Sequence, residues 1–444
     1  MTPAQLWKNL GPGLIVAATG LGAGDIVAAA VAGAQYGTTL VWVALAGGLL
    51  KFCLNEGIGR WQLVTGTTLL EGWITHLPKL VTLYFFLYLL LWSFMVAAAM
   101  MAATGLGSYA LWPVLTVQQW GALFSLITAA IVWSGKWALF EGLMKFCIAL
   151  MFVTVLACAA LVLPNAPSLL ADAFRPGIPD GSVTTVVSVM GGVGGSVTIM
   201  SYGYWIREAG WKGKGMLTTM RWDLGVSYTL TALFAMCVLI LGAGVRPEVI
   251  QGNGMAVAFA DQLVPYTGQP GRWLFLVGFW GAVWSSMLGV WHGVPYLFAT
   301  FVRHYRRDRE ARRLRGRPFS AQASAPRQPD AGQGDSAVVA AGDTGLEAGP
   351  GDQAHDIVRS PEYRGFLLAM CLLPMLLLVF RAPVQVVRLY TITGALFMPL
   401  LAVLLLYMNR PRWLGKEANS VLMQACLALC LGLFVYLLFT APSA

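Results

Sequence analysis

The sequence predicts an all-α polytopic membrane protein of about eleven transmembrane helices, ten of them forming two inverted halves of five. Three observations predict this. Hydrophobic residues make up 57% of the 444 and charged residues only 11%, whereas an ordinary soluble domain carries about 25% charged residues. Apolar runs of bilayer length recur from one end of the chain to the other. The first and sixth of these runs are interrupted by glycines at matching distances from their starts, and paired glycine-broken spans are the sequence mark of an inverted-repeat transporter.

In chain order the expected spans are 11–33, 39–60, 80–107, 117–134, 137–163, 183–206, 223–245, 271–300, 363–380, 384–408 and 418–440. One set of loops is strongly basic. It holds Lys8, Arg60 and Lys79, Lys136, the group Arg207, Lys212, Lys214 and Arg221, the arginines after Val302, and Arg410, Arg412 and Lys416. The alternate loops carry few charges. The positive-inside rule therefore places the N-terminus in the cytoplasm and the C-terminus outside. The net charge of +9 is a mark of topology, and no nucleic acid partner is expected.

A single membrane domain is expected, with helices one to eight over 1–302, a cytoplasmic loop over 303–362, and helices nine to eleven over 363–444. The first part of that loop, Arg303 to Arg317, is a basic extension of span eight that anchors topology and suits anionic lipid. From Ser320 to Asp356 the composition is Ala/Gly/Gln/Asp-rich, which predicts a disordered linker. The seven cysteines all fall in apolar segments without zinc-like spacing, and neither a disulfide framework nor a removed signal peptide is expected.

The first break, Gly20-Leu21-Gly22-Ala23-Gly24-Asp25, carries the chemistry. Alternate glycines weaken a helix by about 1 kcal/mol each, and broken backbone at membrane depth persists only where protein or a wet cavity satisfies it. An aspartate at such a break reads as an ion ligand; the structural alternative is that Asp25 caps the second half-helix. The sixth span breaks at Gly191-Gly192-Val193-Gly194-Gly195, where close helix packing through small residues is the alternative.

From Ala32-Gly33-Ala34-Gln35-Tyr36-Gly37 the chain resembles the Nramp family of divalent-metal transporters. The likeness runs through Arg60, Thr65-Gly66, Leu69 and Glu71 to Gly135, Glu141 and Lys145. It covers most of spans one to eight. The resemblance implies the LeuT-type fold, a 5+5 inverted repeat with broken helices 1 and 6, and alternating access to a metal at the membrane midplane. Aligned on the Ala32–Gly37 anchor, the family's Asp-Pro-Gly-Asn falls on Gly22, Ala23, Gly24 and Asp25. The ligand aspartate is thus Gly22 here. The family's Ala-Thr-Val-Met-Pro-His falls on Gly195 to Met200, so that Thr198 replaces the metal-binding methionine and Met200 the histidine. Span three, Leu80 to Pro113, holds no acidic residue, although the family carries proton-relay carboxylates there.

The expected metal set is Asp25, Gly22, Gly195 and Thr198, joined by carbonyls of Gly20, Leu21 and Gly194. Oxygen donors of this kind suit Mg²⁺ or Mn²⁺. Met200, Ser285, Ser286, Thr393 and His292 are candidates for the substrate site or coupling, each with a packing role as the alternative; Thr391 stands with Thr393. Glu56–Arg60 and Glu141–Lys145 are i,i+4 pairs near cytoplasmic span ends.

The function expected is inner-membrane secondary transport of a divalent metal ion of the Mn²⁺/Fe²⁺/Mg²⁺ class, with weak or absent proton coupling. The alternatives are transport of a small amine or amino acid and a non-transporting Nramp-like sensor. No enzyme, resident cofactor or obligate protein partner is expected; the ion is cargo.

Overall fold

The computed structural model describes residues 11–162, 175–192, 196–243, 255–315, 356–380, 386, 390, 393–394 and 396–440. It is helical, with no strand among the described residues. Span one is two helices, α1 (Pro12–Gly20) and α2 (Ala23–Tyr36), bent by 54° at the glycine break. Spans two to five are α3 (Val41–Thr65), α5 (Lys79–Leu111), α6 (Val117–Trp133) and α7 (Trp137–Val162). Span six is α8 (Val183–Gly192), a 3-10 turn over Val197–Ser201, and α9 (Tyr202–Glu208). Span seven is α10 (Leu217–Ala243), and span eight lies within α11 (Met255–Arg315). The last three spans follow as α12 (Pro361–Leu372) with α13 (Met375–Phe380), α14 (Phe397–Met408) and α15 (Val421–Thr440).

By length and composition six helices can cross a membrane, and seven if the bent pair counts as one. The remaining spans are the second broken helix and the shorter apolar helices α6, α14 and α15. At about 1.5 Å per residue, the 25 residues of α3 reach past a hydrocarbon core of about 30 Å. Side chains sort as lipid requires. Leu80, Leu83, Leu87 and Leu91 are exposed along one face of α5, while Trp92, Val96 and Met100 are buried on the other.

Among the described residues, two helical segments of eight or more residues lie outside the expected spans. α4 (Leu69–His76) starts at a capping box in which Thr68 Oγ1 accepts from the Glu71 N–H and Glu71 accepts from the Thr68 N–H. That Thr-x-x-Glu spacing is a local helix-start signal. The N-terminal part of α11, from Met255, is a separate helix joined to span eight at Gly268, whose φ of 65° breaks the helical path. At its other end α11 continues helically to Arg315, as a basic extension of span eight would. Linker residues 320–355, Gly194, Gly195 and Thr391 lie outside the described residues.

The two halves of span one are held differently. α2 packs along α10 through backbone. A Cβ on Gly33 would lie 2.0 Å from the Leu239 carbonyl oxygen, and one on Gly242 would lie 2.5 Å from the Ala30 carbonyl oxygen. α1 is pinned at its start by Asp223 of α10. The Asp223 carboxylate accepts from the Gly11 N–H at 3.1 Å and the Gly13 N–H at 2.5 Å, with the Tyr202 hydroxyl donating from α9 at 3.5 Å. Asp223 therefore satisfies N–H groups that the first turn of a helix leaves open, and it joins spans one, six and seven at the basic end of the molecule.

The same end carries an ion-pair network. Buried Glu56 accepts from Arg60 at 2.7 Å and from Arg221 at 3.0 Å, and Arg60 also donates to Asn419 at 2.8 Å. Arg207 at the end of α9 donates to Glu71 at 2.9 Å. The second expected pair, Glu141–Lys145, forms at 2.8 Å on a more exposed surface.

Candidate functional site

The first break places Asp25 as the third residue of α2, 3% exposed, with Gly22 at the N-cap position and no side-chain capping bond there. Asp25 is therefore not the cap that the sequence left as its alternative role. A carboxylate in the first turn of a helix is stabilised by the N-terminal end of the dipole. The Gly22 carbonyl accepts the Ile26 N–H at 3.2 Å as the first bond of α2, which leaves its second lone pair for a ligand. Carbonyls at the end of α1 are also engaged. Ser286 Oγ donates to Ala18 O at 2.9 Å and Thr19 O at 3.1 Å. Ser286 on span eight thus braces the break, while Ser285 Oγ bonds within its own helix to Ala282 O at 2.9 Å.

Gly22 is a matter of space. A Cβ there would lie 2.7 Å from Ser286 Oγ and 3.0 Å from Ser286 Cβ, with the Met100 methyl 3.4 Å away. Its φ of −98° is open to any residue. The serine of span eight thus takes the room at position 22, where the resemblance puts the family's aspartate. Restoring it by Gly22→Asp is expected to destabilise the protein by about 1–3 kcal/mol through overpacking, and Ser286→Gly in the same chain should recover most of the loss. Thermal unfolding of the single and double variants in detergent checks this; equal loss in both would exclude the steric account.

Three groups interact electrostatically with Asp25 that the spacing of motifs did not single out. Lys51 of α3, Tyr228 of α10 and Tyr390 of span ten all lie within the electrostatic reach of its carboxylate. Lys51 is 1% exposed. Asn55, one turn along α3 from Lys51, donates to the Tyr228 hydroxyl. Tyr390 sits beside Ser196 at the second break, and a Cβ on Gly394 would lie 2.9 Å from Ser196 Oγ. A lysine and an asparagine at i,i+4 inside a transmembrane segment are the signal that was available for Lys51 and Asn55; the tyrosines gave none, since isolated tyrosines are common in spans.

The other candidates divide. Thr198 lies in the 3-10 turn at 1% exposure, and its Oγ1 has no hydrogen-bond partner among the described residues. Met200, two residues on, is buried. Thr393 Oγ1 donates to Tyr390 O at 3.0 Å, and its own carbonyl accepts from Tyr88. His292 is six residues beyond Ser286 on α11, about 9 Å along the helix toward the basic end. Its Nδ1 accepts the Trp205 indole N–H at 3.2 Å and its ring stacks on Phe140, so the ring is packed as its alternative role requires. It lines a cavity of about 10 Å³ with Lys136, Trp137 and Glu208, room for about one water. Burial pushes the Glu208 carboxyl up to about 7. Among the described residues no three of His, Cys, Asp and Glu gather as a metal cluster, so a cation at the break would rest on one carboxylate together with hydroxyls and carbonyls.

Comparison with known proteins places this geometry. The natural resistance-associated macrophage protein-like family matches residues 13–317. An uncharacterized protein of Pasteurella multocida is 25% identical over 272 residues, which are 60% of this chain and 63% of that one. A manganese transporter of Eremococcus coleocola, solved with an aromatic bis-isothiourea compound, superposes with a TM-score of 0.70 at 12% identity, covering 99% of this chain and 89% of the other. MhsT in complex with L-phenylalanine gives 0.52 at 15% identity, covering 97% and 98%. These two share the fold: an all-α polytopic LeuT-type inverted repeat with broken helices 1 and 6. The match over 13–317 spans more than half of the sequence, and the chain belongs to the natural resistance-associated macrophage protein-like (Nramp) family.

Proposed function

We propose that the protein is a secondary transporter that carries a divalent cation across the inner membrane by alternating access at the paired breaks. The observation that carries this reading is Asp25, a buried carboxylate in the first turn of α2 beside the broken backbone of span one. A carboxylate so placed attracts a cation strongly where little water screens it. The manganese transporter of the same fold supports a metal as cargo. Thr198 and the carbonyls at the breaks would complete an oxygen-donor set, which favours a hard ion such as Mn²⁺ or Mg²⁺. In this reading the basic end faces the cytoplasm with the N-terminus, and the Asp223 and Glu56 networks close the inner gate.

Uptake into proteoliposomes tests the proposal, comparing Mn²⁺, Mg²⁺, Ca²⁺ and a panel of amino acids and amines, with and without a pH gradient. Saturable divalent-ion uptake is expected, little driven by outside acid because span three lacks a carboxylate. A second reading, transport of a small amino acid, draws on Lys51 beside Asp25, since opposite charges suit a zwitterion. Uptake of an amino acid without any divalent ion would replace the first reading by the second.

A further inference from the structure

Spans two and seven leave a groove between them that the cation site does not use. Its walls are Leu45, Leu49 and Phe52 of α3 and Gly225, Thr229 and Leu233 of α10, and it encloses about 350 Å³, the size of a small ligand pocket. These residues recur every three or four positions, so each wall is one helix face, about 10–12 Å long. The floor is tight: a Cβ on Gly48 would lie 3.0 Å from the Ala232 Cβ and 3.2 Å from the Tyr228 carbonyl oxygen. The mouth is open. Leu45, Leu49 and Leu233 are exposed, and a Cβ on Gly225 would meet nothing within 4 Å. Gly225 therefore leaves a notch that a larger residue would fill, and exposed apolar walls at bilayer depth meet acyl chains rather than water.

The chemistry of one end narrows the occupant. Glu56 follows Phe52 by four residues and Arg221 precedes Gly225 by four, so the next turn of each wall carries a charge. The two side chains join at 3.0 Å and close the groove there. Arg60 holds the same carboxylate at 2.7 Å, so two guanidiniums share one carboxylate and this corner is net positive. Arg221 engages Glu56 through Nε with its side chain still 49% exposed, which leaves the rest of the guanidinium open to a headgroup. Trp222 beside it is exposed, as the aromatic belt at headgroup level is. Lys212 and Lys214 are exposed on the loop that enters α10. An anion is favoured at this end and an alkyl chain beyond it.

We propose that the groove is a binding site for one anionic phospholipid, with an acyl chain between α3 and α10 and its phosphate at Arg221. Basic pockets between spans on the cytoplasmic side hold headgroups of this kind. The bound lipid joins α3 to α10, the helix whose Asp223 pins the start of span one. The inference stands apart from the identity of the cargo.

Native mass spectrometry of the full chain, given equimolar phosphatidylglycerol and phosphatidylcholine with the same acyl chains, tests it. The wild type should retain one phosphatidylglycerol per chain, preferred by about fivefold or more, the weight of one basic residue near a membrane surface. Arg221→Gln should lower that preference about fivefold and still bind lipid; Glu56 keeps Arg60, so the fold is retained. Gly225→Leu fills the notch and should lose the retained lipid of either kind. Thr229→Phe blocks the same wall and takes its place should Gly225→Leu fail to fold. Equal retention of the two lipids by the wild type overturns the proposal, as does unchanged phosphatidylglycerol binding in the folded blocking variant. A lipid-free dimer that the blocking variant dissociates would give the groove to a second copy of this chain, and overturns it too.

Discussion

Asp25→Asn should lower the affinity for a divalent cation by about a hundredfold or more while leaving the fold in place. The side chain keeps its size, and α2 loses no cap, because Gly22 occupies the cap position. The carboxylate charge alone is removed. In a buried site its attraction for a divalent ion amounts to several kcal/mol, and each 1.4 kcal/mol is about tenfold in affinity. One stability effect is expected. The variant leaves Lys51 facing a neutral amide, and a buried charge that loses its partner destabilises. Asp25→Asn with Lys51→Met should regain that stability without regaining ion binding. Titration calorimetry with Mn²⁺ and thermal unfolding, run on both variants, separate the two effects. Wild-type affinity in Asp25→Asn would leave the carboxylate a purely structural role and put the amino acid reading first.

Gly33→Ala should be among the most damaging single methyls at the described glycines. Its Cβ would meet the Leu239 carbonyl oxygen at 2.0 Å and the Ala243 nitrogen at 2.8 Å. Both are backbone atoms of α10, so no side chain can turn aside, and the two helices must separate. Overpacking costs about 1–3 kcal/mol in ordinary cores and sometimes more, against a total stability of about 5–15 kcal/mol. The shift would also carry α2, and with it Asp25, away from Tyr228. Gly225→Ala on the same α10 is the control, since a Cβ there meets nothing within 4 Å; it should be neutral or stabilise by up to about 1 kcal/mol. Yield of monodisperse protein and unfolding temperature in detergent check the pair. Equal tolerance of both substitutions would mean that α2 and α10 do not approach as closely as described.

These two positions show what the sequence made legible and what it did not. The spans and the break at Asp25 are local signals: apolar length, glycine spacing and a single acid can each be read within a window of about twenty residues. Gly33 was legible as part of a family motif, but its reason, the carbonyl of Leu239 more than two hundred positions away, was not. The same distance in sequence hid Asp223, which holds the start of span one from span seven. Lys51 was visible as a lysine in a span, but its electrostatic relation to Asp25 depends on the tertiary packing. The helix Leu69–His76 was missed although its capping box stands in plain view, because attention to apolar spans passes over short amphipathic segments in loops.

Gly22 follows the same pattern. The resemblance puts the family's aspartate at this position, but only the packing shows that Ser286 of span eight occupies the room.

The central claim is that a cation is held at the first break by Asp25. Anomalous diffraction at the manganese edge, from crystals of the full chain grown with Mn²⁺, tests it most directly. One strong anomalous peak is expected at the break, within coordination distance of an Asp25 carboxylate oxygen and close to Thr198, and it should be lost in crystals of Asp25→Asn. Crystals with bound Mn²⁺ elsewhere and none at Asp25, or a peak that persists unchanged in Asp25→Asn, would contradict it.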